Sequence, residues 1–273
     1  MKNDHTTTDV LEQRAREGDV IYAAGHPDNM AALKERTPFG QQLEIIDITK
    51  MSVRPFFELL ATMNGINHTK SGLTSEQWVV LDCGLIPGGY FGFAREAKDC
   101  DDELKQKLHV DPSYTGLVPV SEYCIIPRPV SGAWIGHTLS AIERGKNYGI
   151  LSKLVGLKAF GVEHYTGVAQ YDNNAVRTHC TIADLELRTV MTPVHDYLEM
   201  TFIYEHPVDQ ESLDVTMQGK REVKPYSFLL DPHDLHQKQE MQALTEEGKK
   251  KYAILFPGQV WRDGKLFVPI QEE

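Results

Sequence analysis

The sequence predicts an α+β fold, β-rich, with a mainly antiparallel barrel-like or curved sheet and peripheral helices. Three observations lead there. Strand-like runs cluster instead of alternating regularly with helices, which disfavours a doubly wound parallel sheet. The connections carry turn residues, among them Asp172-Asn173-Asn174 and Asp263-Gly264. Apolar residues make up 41% of the 273 positions, enough for a real core, and charged residues 25%, an ordinary surface.

The elements follow in order. Asp9 to Glu17 reads as a helix with Thr8 or Asp9 as cap and Gly18 after its end. Strands are expected at Asp19 to Ala24 and Gln42 to Ile48. Pro55 to Met63 is a helix, because Phe56, Leu59, Leu60 and Met63 recur at helical spacing and Pro55 suits a first turn. Asn67 to Glu76 is polar and reads as a loop. Trp78 to Cys83 and Tyr90 to Ala94 read as two strands joined by a glycine-rich turn. Asp101 to Leu108 is an excursion helix, followed by strands at Leu117 to Pro127 and Ala133 to Leu139.

Ser140 to Phe160 is the most helical stretch of the middle, interrupted by glycines. Four strands are then expected, at Tyr165–Tyr171, Ala175–Thr181, Glu186–Thr192 and Tyr197–Tyr204. Val223 to Leu230 reads as a further strand. Pro232 to Tyr252 reads as the longest helix, capped by Asp231, and Trp261 to Leu266 closes the chain with an Asp-Gly hairpin. The whole is expected to be one domain, 1–273, in which residues 1–75 form an N-terminal extension packed on a β-rich body, 76–273.

The formal charge of −11 argues against nucleic acid and against an anionic membrane surface, since both reward a basic face. Lys249-Lys250-Lys251 is the one cationic run, and it reads as a solvated helix end. No apolar run approaches the ~20 residues that span a bilayer. Without an export signal the expected compartment is cytoplasmic, and the widely spaced Cys83, Cys100, Cys124 and Cys180 are expected as free thiols. The expected partner is a small molecule, with no cofactor; the sequence leaves a homo-oligomer open.

Gly84-Leu85-Ile86-Pro87-Gly88-Gly89 looks like a phosphate loop, but it leads into a strand, and a phosphate cradle needs a helix N-terminus behind it. No GxSxG turn and no HExxH is present. His233 and His236 share a helix face and read as exposed; His164, His179 and His195 read as separate strand-end residues, so no metal site is expected.

The stretch with chemical content is Glu122 to Leu154. A strand carrying Glu122 is followed by a second strand and then by Arg144-Gly145-Lys146-Asn147-Tyr148-Gly149-Ile150-Leu151-Ser152-Lys153-Leu154. A lysine held in apolar surroundings loses part of its preference for the charged form, and a neutral amine can form a Schiff base with a ketone. This order of elements resembles the acetoacetate decarboxylase-like family over about a third of the chain. Tyr148-Gly149 matches that family's aromatic-Gly step, Lys153-Leu154 the end of its lysine segment and Glu122 its strand acid. The Pro-Lys-Lys core reads Leu151-Ser152-Lys153, so a gapless placement puts Ser152 where the nucleophile stands.

The resemblance implies a lyase, a decarboxylase or aldolase-like enzyme acting on an oxo-acid. Lys153 would be the imine-forming amine and Glu122 its acid partner. Arg144 or Arg128 would hold a substrate carboxylate, and Tyr148 and Trp134 would line the chamber. The alternative is a non-catalytic binding protein on the same scaffold, with Phe91, Phe93, Trp134 and Tyr148 around an apolar ligand.

Overall fold

The structure is a computed structural model that describes residues 7–273 apart from 38–39, 70–73, 76, 86, 144, 193–197 and 214–220. The chain divides into two compact units, Met1–Val162 and Glu163–Glu273. No helix among the described residues is long and apolar enough to cross a membrane.

The first unit contains α1 (Thr7–Arg16), β1 (Val20–Gly25), the short helices α2 (Pro27–Met30) and α3 (Leu33–Arg36), β2 (Leu43–Asp47), α4 (Arg54–His68) and α5 (Gln77–Leu85). It continues with β3 (Gly89–Glu96), α6 (Asp102–Lys107), β4 (Leu117–Pro119), β5 (Ser121–Pro127), β6 (Ala133–Ala141) and α7 (Tyr148–Ala159). Its strand order is β6-β5-β3-β1-β2, with β4 beside the end of β3. Among the described residues of this unit only β1 and β2 run parallel, with Ile21 opposite Leu43; the other strand pairs are antiparallel. β2 and β6 stand at opposite ends of that order. The sheet is therefore open, and the expected barrel is not formed, although the α+β class and the antiparallel character hold.

Strand alternation assigns the two faces of this sheet. Phe91, Phe93, Ser121 and Tyr123 meet α7: Phe93 lies 5.2 Å from the Tyr148 ring, and Ser121 Oγ lies 2.8 Å from Ser152 Oγ. Tyr22, Tyr90 and Glu122 point the other way, to α4, where Tyr22 packs on Phe56, Tyr90 on Phe57 and Glu122 on Asn64. Helix α7 is largely apolar and largely covered: Tyr148, Leu151 to Leu157 and Ala159 are buried, Ser152 and Lys153 among them.

The second unit contains β7 (His164–Gln170), α8 (Ala175–Ile182), β8 (Leu185–Thr189), β9 (Thr201–Pro207), β10 (Phe228–Leu230), α9 (Leu235–Glu246), β11 (Tyr252–Ile254), β12 (Val260–Arg262) and β13 (Lys265–Glu272). Its strand order is β10-β13-β11-β8-β9-β7, with β12 folded onto β13. That last hairpin turns at Asp263 (φ 50°) and Gly264 (φ 75°), the left-handed pair that Asp-Gly predicts.

Two strands expected from the sequence are helices. Trp78 to Cys83 lies within α5, which leaves Trp78 64% exposed while Val80 and Cys83 face inward. A short apolar run does not by itself separate strand from buried helix. Ala175 to Thr181 lies within α8, where Val176, His179 and Cys180 are buried at helical spacing. The signal at Asp172-Asn173-Asn174 starts this helix instead of a hairpin, because Asn173 Oδ1 accepts the Ala175 N–H at 2.9 Å. Helix α9 is shorter than expected at both ends: Asp234, not Asp231, caps it by accepting the Gln237 N–H at 2.9 Å. The expected strand Tyr197–Tyr204 begins at Thr201, and its first residue lies outside the described residues.

Candidate functional site

Helix α7 packs on strands β3 and β5. Ser152 and Gly156 are one turn apart and form the contact. Ser152 Oγ bonds its own helix at the Tyr148 carbonyl (2.8 Å) and Ser121 Oγ across the gap (2.8 Å). A Cβ at Gly156 would lie 2.7 Å from Tyr123 Cδ1. The helix is thus seated on β3 and β5 by small residues, and Ser152 faces the strands with no exposure. A lysine in that place would have to enter a filled core.

This seating separates the expected catalytic pair. Ser121 and Tyr123 face α7, so Glu122, between them on β5, faces α4. Asn64 Nδ2 donates to Glu122 Oε1 at 3.3 Å, and among the described residues Glu122 Oε2 has no hydrogen-bond partner. Lys153 is fully buried on α7, on the far side of the sheet from this carboxyl. The helix that carries Lys153 and the Glu122 carboxyl are on opposite faces of the sheet, and the expected pair is not brought together. The proposed chamber is filled as well: Phe91 and Phe93 are fully buried beneath α7, and Trp134 stacks on Phe160 at 4.3 Å. Each fully buried ring contributes about 1.5–3 kcal/mol, so Phe91 and Phe93 are core, not a ligand box, while Trp134 is half-buried. Arg128 is exposed at the β5–β6 turn, and Arg144 lies outside the described residues.

What the same stretch does build is a strand–loop–helix junction. Strand β6 runs through Ala141 into Gly145 (φ 80°) and Asn147 (φ 60°), both left-handed, and α7 starts at Tyr148. Among the described residues no side chain caps α7. Its first-turn amides have no intrahelical partner and stand at the positive end of the helix dipole. A Cβ at Gly145 or Gly149 would meet nothing within 4 Å, so the approach is open.

An ionic lattice fixes this loop from below. Tyr148 donates to Asp19 Oδ2 at 2.6 Å and accepts from Arg95 Nη2 at 2.8 Å. Arg95 Nε donates to Asp19 Oδ1 at 2.8 Å, and its two Nη groups hold Glu143 in a fork. Burial pushes the Glu143 carboxyl up, but Arg95 and Lys146 outweigh it and hold it at about 2. Lys146 Nζ reaches Glu143 at 2.7 Å, and Arg14 donates to the Lys146 carbonyl at 2.8 Å. Tyr148, expected as a chamber wall, is a keystone of this lattice.

The opposite face of the sheet carries a second polar group of residues. Asn64 Nδ2 also donates to Thr138 Oγ1 at 2.9 Å, and Asn64 Oδ1 accepts the Ser75 N–H at 2.8 Å. His68 Nε2 lies 2.8 Å from Ser140 Oγ. Burial, with His137 nearby, lowers the affinity of His68 for a proton, so its imidazole is neutral near pH 7. Burial also pushes the Glu122 carboxyl up to about 8, against the opposing hydrogen bonds of Asn64 and Ser140. Thr138 and Ser140 belong to β6, the strand that enters the loop before α7.

Sequence reasoning found this segment but read its lysines instead of its backbone. The available signal was Gly145-Lys146-Asn147 between a strand and a helix, which meets the criterion that Gly84–Gly89 fails.

No family model matches the chain, and no curated protein matches it. Solved structures overlap it in part. One, from Klebsiella pneumoniae subsp. pneumoniae MGH 78578, is described as an acyl-CoA N-acyltransferase; it is 12% identical at a TM-score of 0.34, over 56% of this chain and 90% of that one. Another, from Lactobacillus plantarum, is described as an N-acetyltransferase; it is 12% identical at a TM-score of 0.38, over 70% of this chain and 99% of that one. At this overlap the function has to be read from the residues. The resemblance to the acetoacetate decarboxylase-like family, with its lyase chemistry, barrel and imine, is corrected by the open sheet, by Ser152 as a packing residue and by the separation of Lys153 from Glu122.

Proposed function

We propose that this chain transfers an acyl group from an acyl-CoA thioester to an amine, with the loop before α7 as the seat of the CoA pyrophosphate. The observation that carries the reading is the uncapped start of α7 behind two left-handed residues, Gly145 and Asn147. Successive outward amides at a helix N-terminus hold phosphate oxygens without needing a cationic surface. The lattice of Arg95, Asp19, Glu143 and Tyr148 keeps the amides fixed, so little ordering is left to the ligand.

The chemistry needs few groups. The amine nitrogen attacks the thioester carbonyl, the carbon–sulfur bond breaks, CoA leaves as thiolate, and the amine proton passes to a base.

The test is calorimetric titration of the full chain with CoA and acetyl-CoA, beside Gly149→Glu. That variant places a carboxylate in open space at the helix start, where it favours the helix but repels phosphate. The expected result is binding by the parent and a loss of at least ~10-fold in the variant, the scale of one charged hydrogen bond. A parent that binds neither compound, or a variant that binds CoA equally well, overturns the proposal.

A further inference from the structure

Outside the loop and its lattice, three soft donors converge. Cys83 comes from α5, Cys124 from β5 and His137 from β6, and their ligand atoms all lie within 4.8 Å of one another. The β5–β6 register explains how His137 joins them. Cys124 pairs with Thr138 and Ile125 with Gly136, so His137 is the extra residue of a β-bulge. A bulge re-aims its side chain, here towards the thiols on the α4–α5 face. Both thiols are buried and the imidazole is exposed, which leaves an entry on one side.

We propose that Cys83, Cys124 and His137 form a binding site for one thiophilic cation, Zn(II), with its fourth position open to water. The donor set is that of a tetrahedral zinc site with three protein ligands, two sulfurs and one nitrogen. Bonds of about 2.0–2.3 Å in that geometry place donors ~3.5–3.8 Å apart, so the three residues need only close slightly around the ion. Binding releases the two thiol protons to solvent, and the ion replaces the S–H groups with two metal–sulfur bonds. Tyr90 is paired with Cys124 across β3 and β5 and shares its face, which makes it an outer neighbour of the sulfur. The site is independent of the acyl-transfer reading.

The experiment uses the reduced, chelator-stripped full chain and titrates it with Co(II), followed by displacement with Zn(II). A sulfur-to-cobalt charge-transfer band saturating at one ion per chain, bleached by Zn(II), is the expected result. Cys83→Ser should abolish the band. His137→Ala, at an exposed position that leaves the core intact, should weaken the ion by at least ~10-fold, since loss of a direct ligand exceeds loss of an outer partner. A folded wild-type chain that shows no band overturns the site, as does a band that persists in Cys83→Ser or an affinity that is unchanged in His137→Ala.

Discussion

Replacing Glu122 by Gln should remove most of the pH dependence of stability contributed by this residue. In the folded chain the carboxyl is fully buried and held neutral, with its pKa pushed by burial from 4.5 up to about 8. In the unfolded chain it ionises near the ordinary value. Below about pH 4.5 both states hold the proton and the neutral carboxyl costs nothing extra. Between there and about pH 8 the unfolded state gains by ionising while the folded state does not, so stability falls by about 1.4 kcal/mol per pH unit. Above about pH 8 both states are ionised and the loss levels off. The difference of about 3.5 units amounts to about 5 kcal/mol across the window, as an order of magnitude. Gln keeps the shape and the contact with Asn64 but has nothing to ionise. Urea unfolding of the parent and Glu122→Gln at pH 5, 6, 7 and 8 should give curves that diverge steadily, with the variant progressively the more stable. Parallel profiles would show that the carboxyl is not held neutral and would refute the reasoning.

Further predictions concern the framework of the loop. Gly156→Ala gains about 1 kcal/mol of helix propensity but sets a methyl 2.7 Å from the buried Tyr123 ring, an overlap that costs about 1–3 kcal/mol; thermal unfolding should show a net loss, while Gly149→Ala, in open space, should show none. Equal effects at the two positions would mean that α7 is not seated on Gly156. Arg95→Met leaves Asp19, whose side chain is 2% exposed, without its guanidinium. Breaking such a pair costs about 3–5 kcal/mol, and Arg95→Met with Asp19→Asn should recover part of it. A single variant as stable as the parent would remove Arg95 from its supporting role.

The periodicity of the chain determined much of this molecule by itself. The helix at Phe56 to Met63, the strand at Tyr90 to Ala94, the strand bearing Glu122 and the Asp263-Gly264 hairpin are local in origin, set by side-chain spacing and turn chemistry. Local pattern failed at Trp78 to Cys83 and Ala175 to Thr181, because a short apolar run fits a buried helix and a buried strand equally well. Which of the two forms depends on the surfaces that cover it. Above all, the faces of the sheet were decided by tertiary structure. Glu122 and Lys153 both read as interior from sequence, and both are buried. Strand alternation, together with Ser152 and Gly156 admitting α7 to one side of β5, places them on opposite faces. Similarly, Gly145 and Asn147 are ordinary turn residues until β6 and α7 meet around them, when their left-handed backbone leads into a helix start that the Asn147 side chain does not cap.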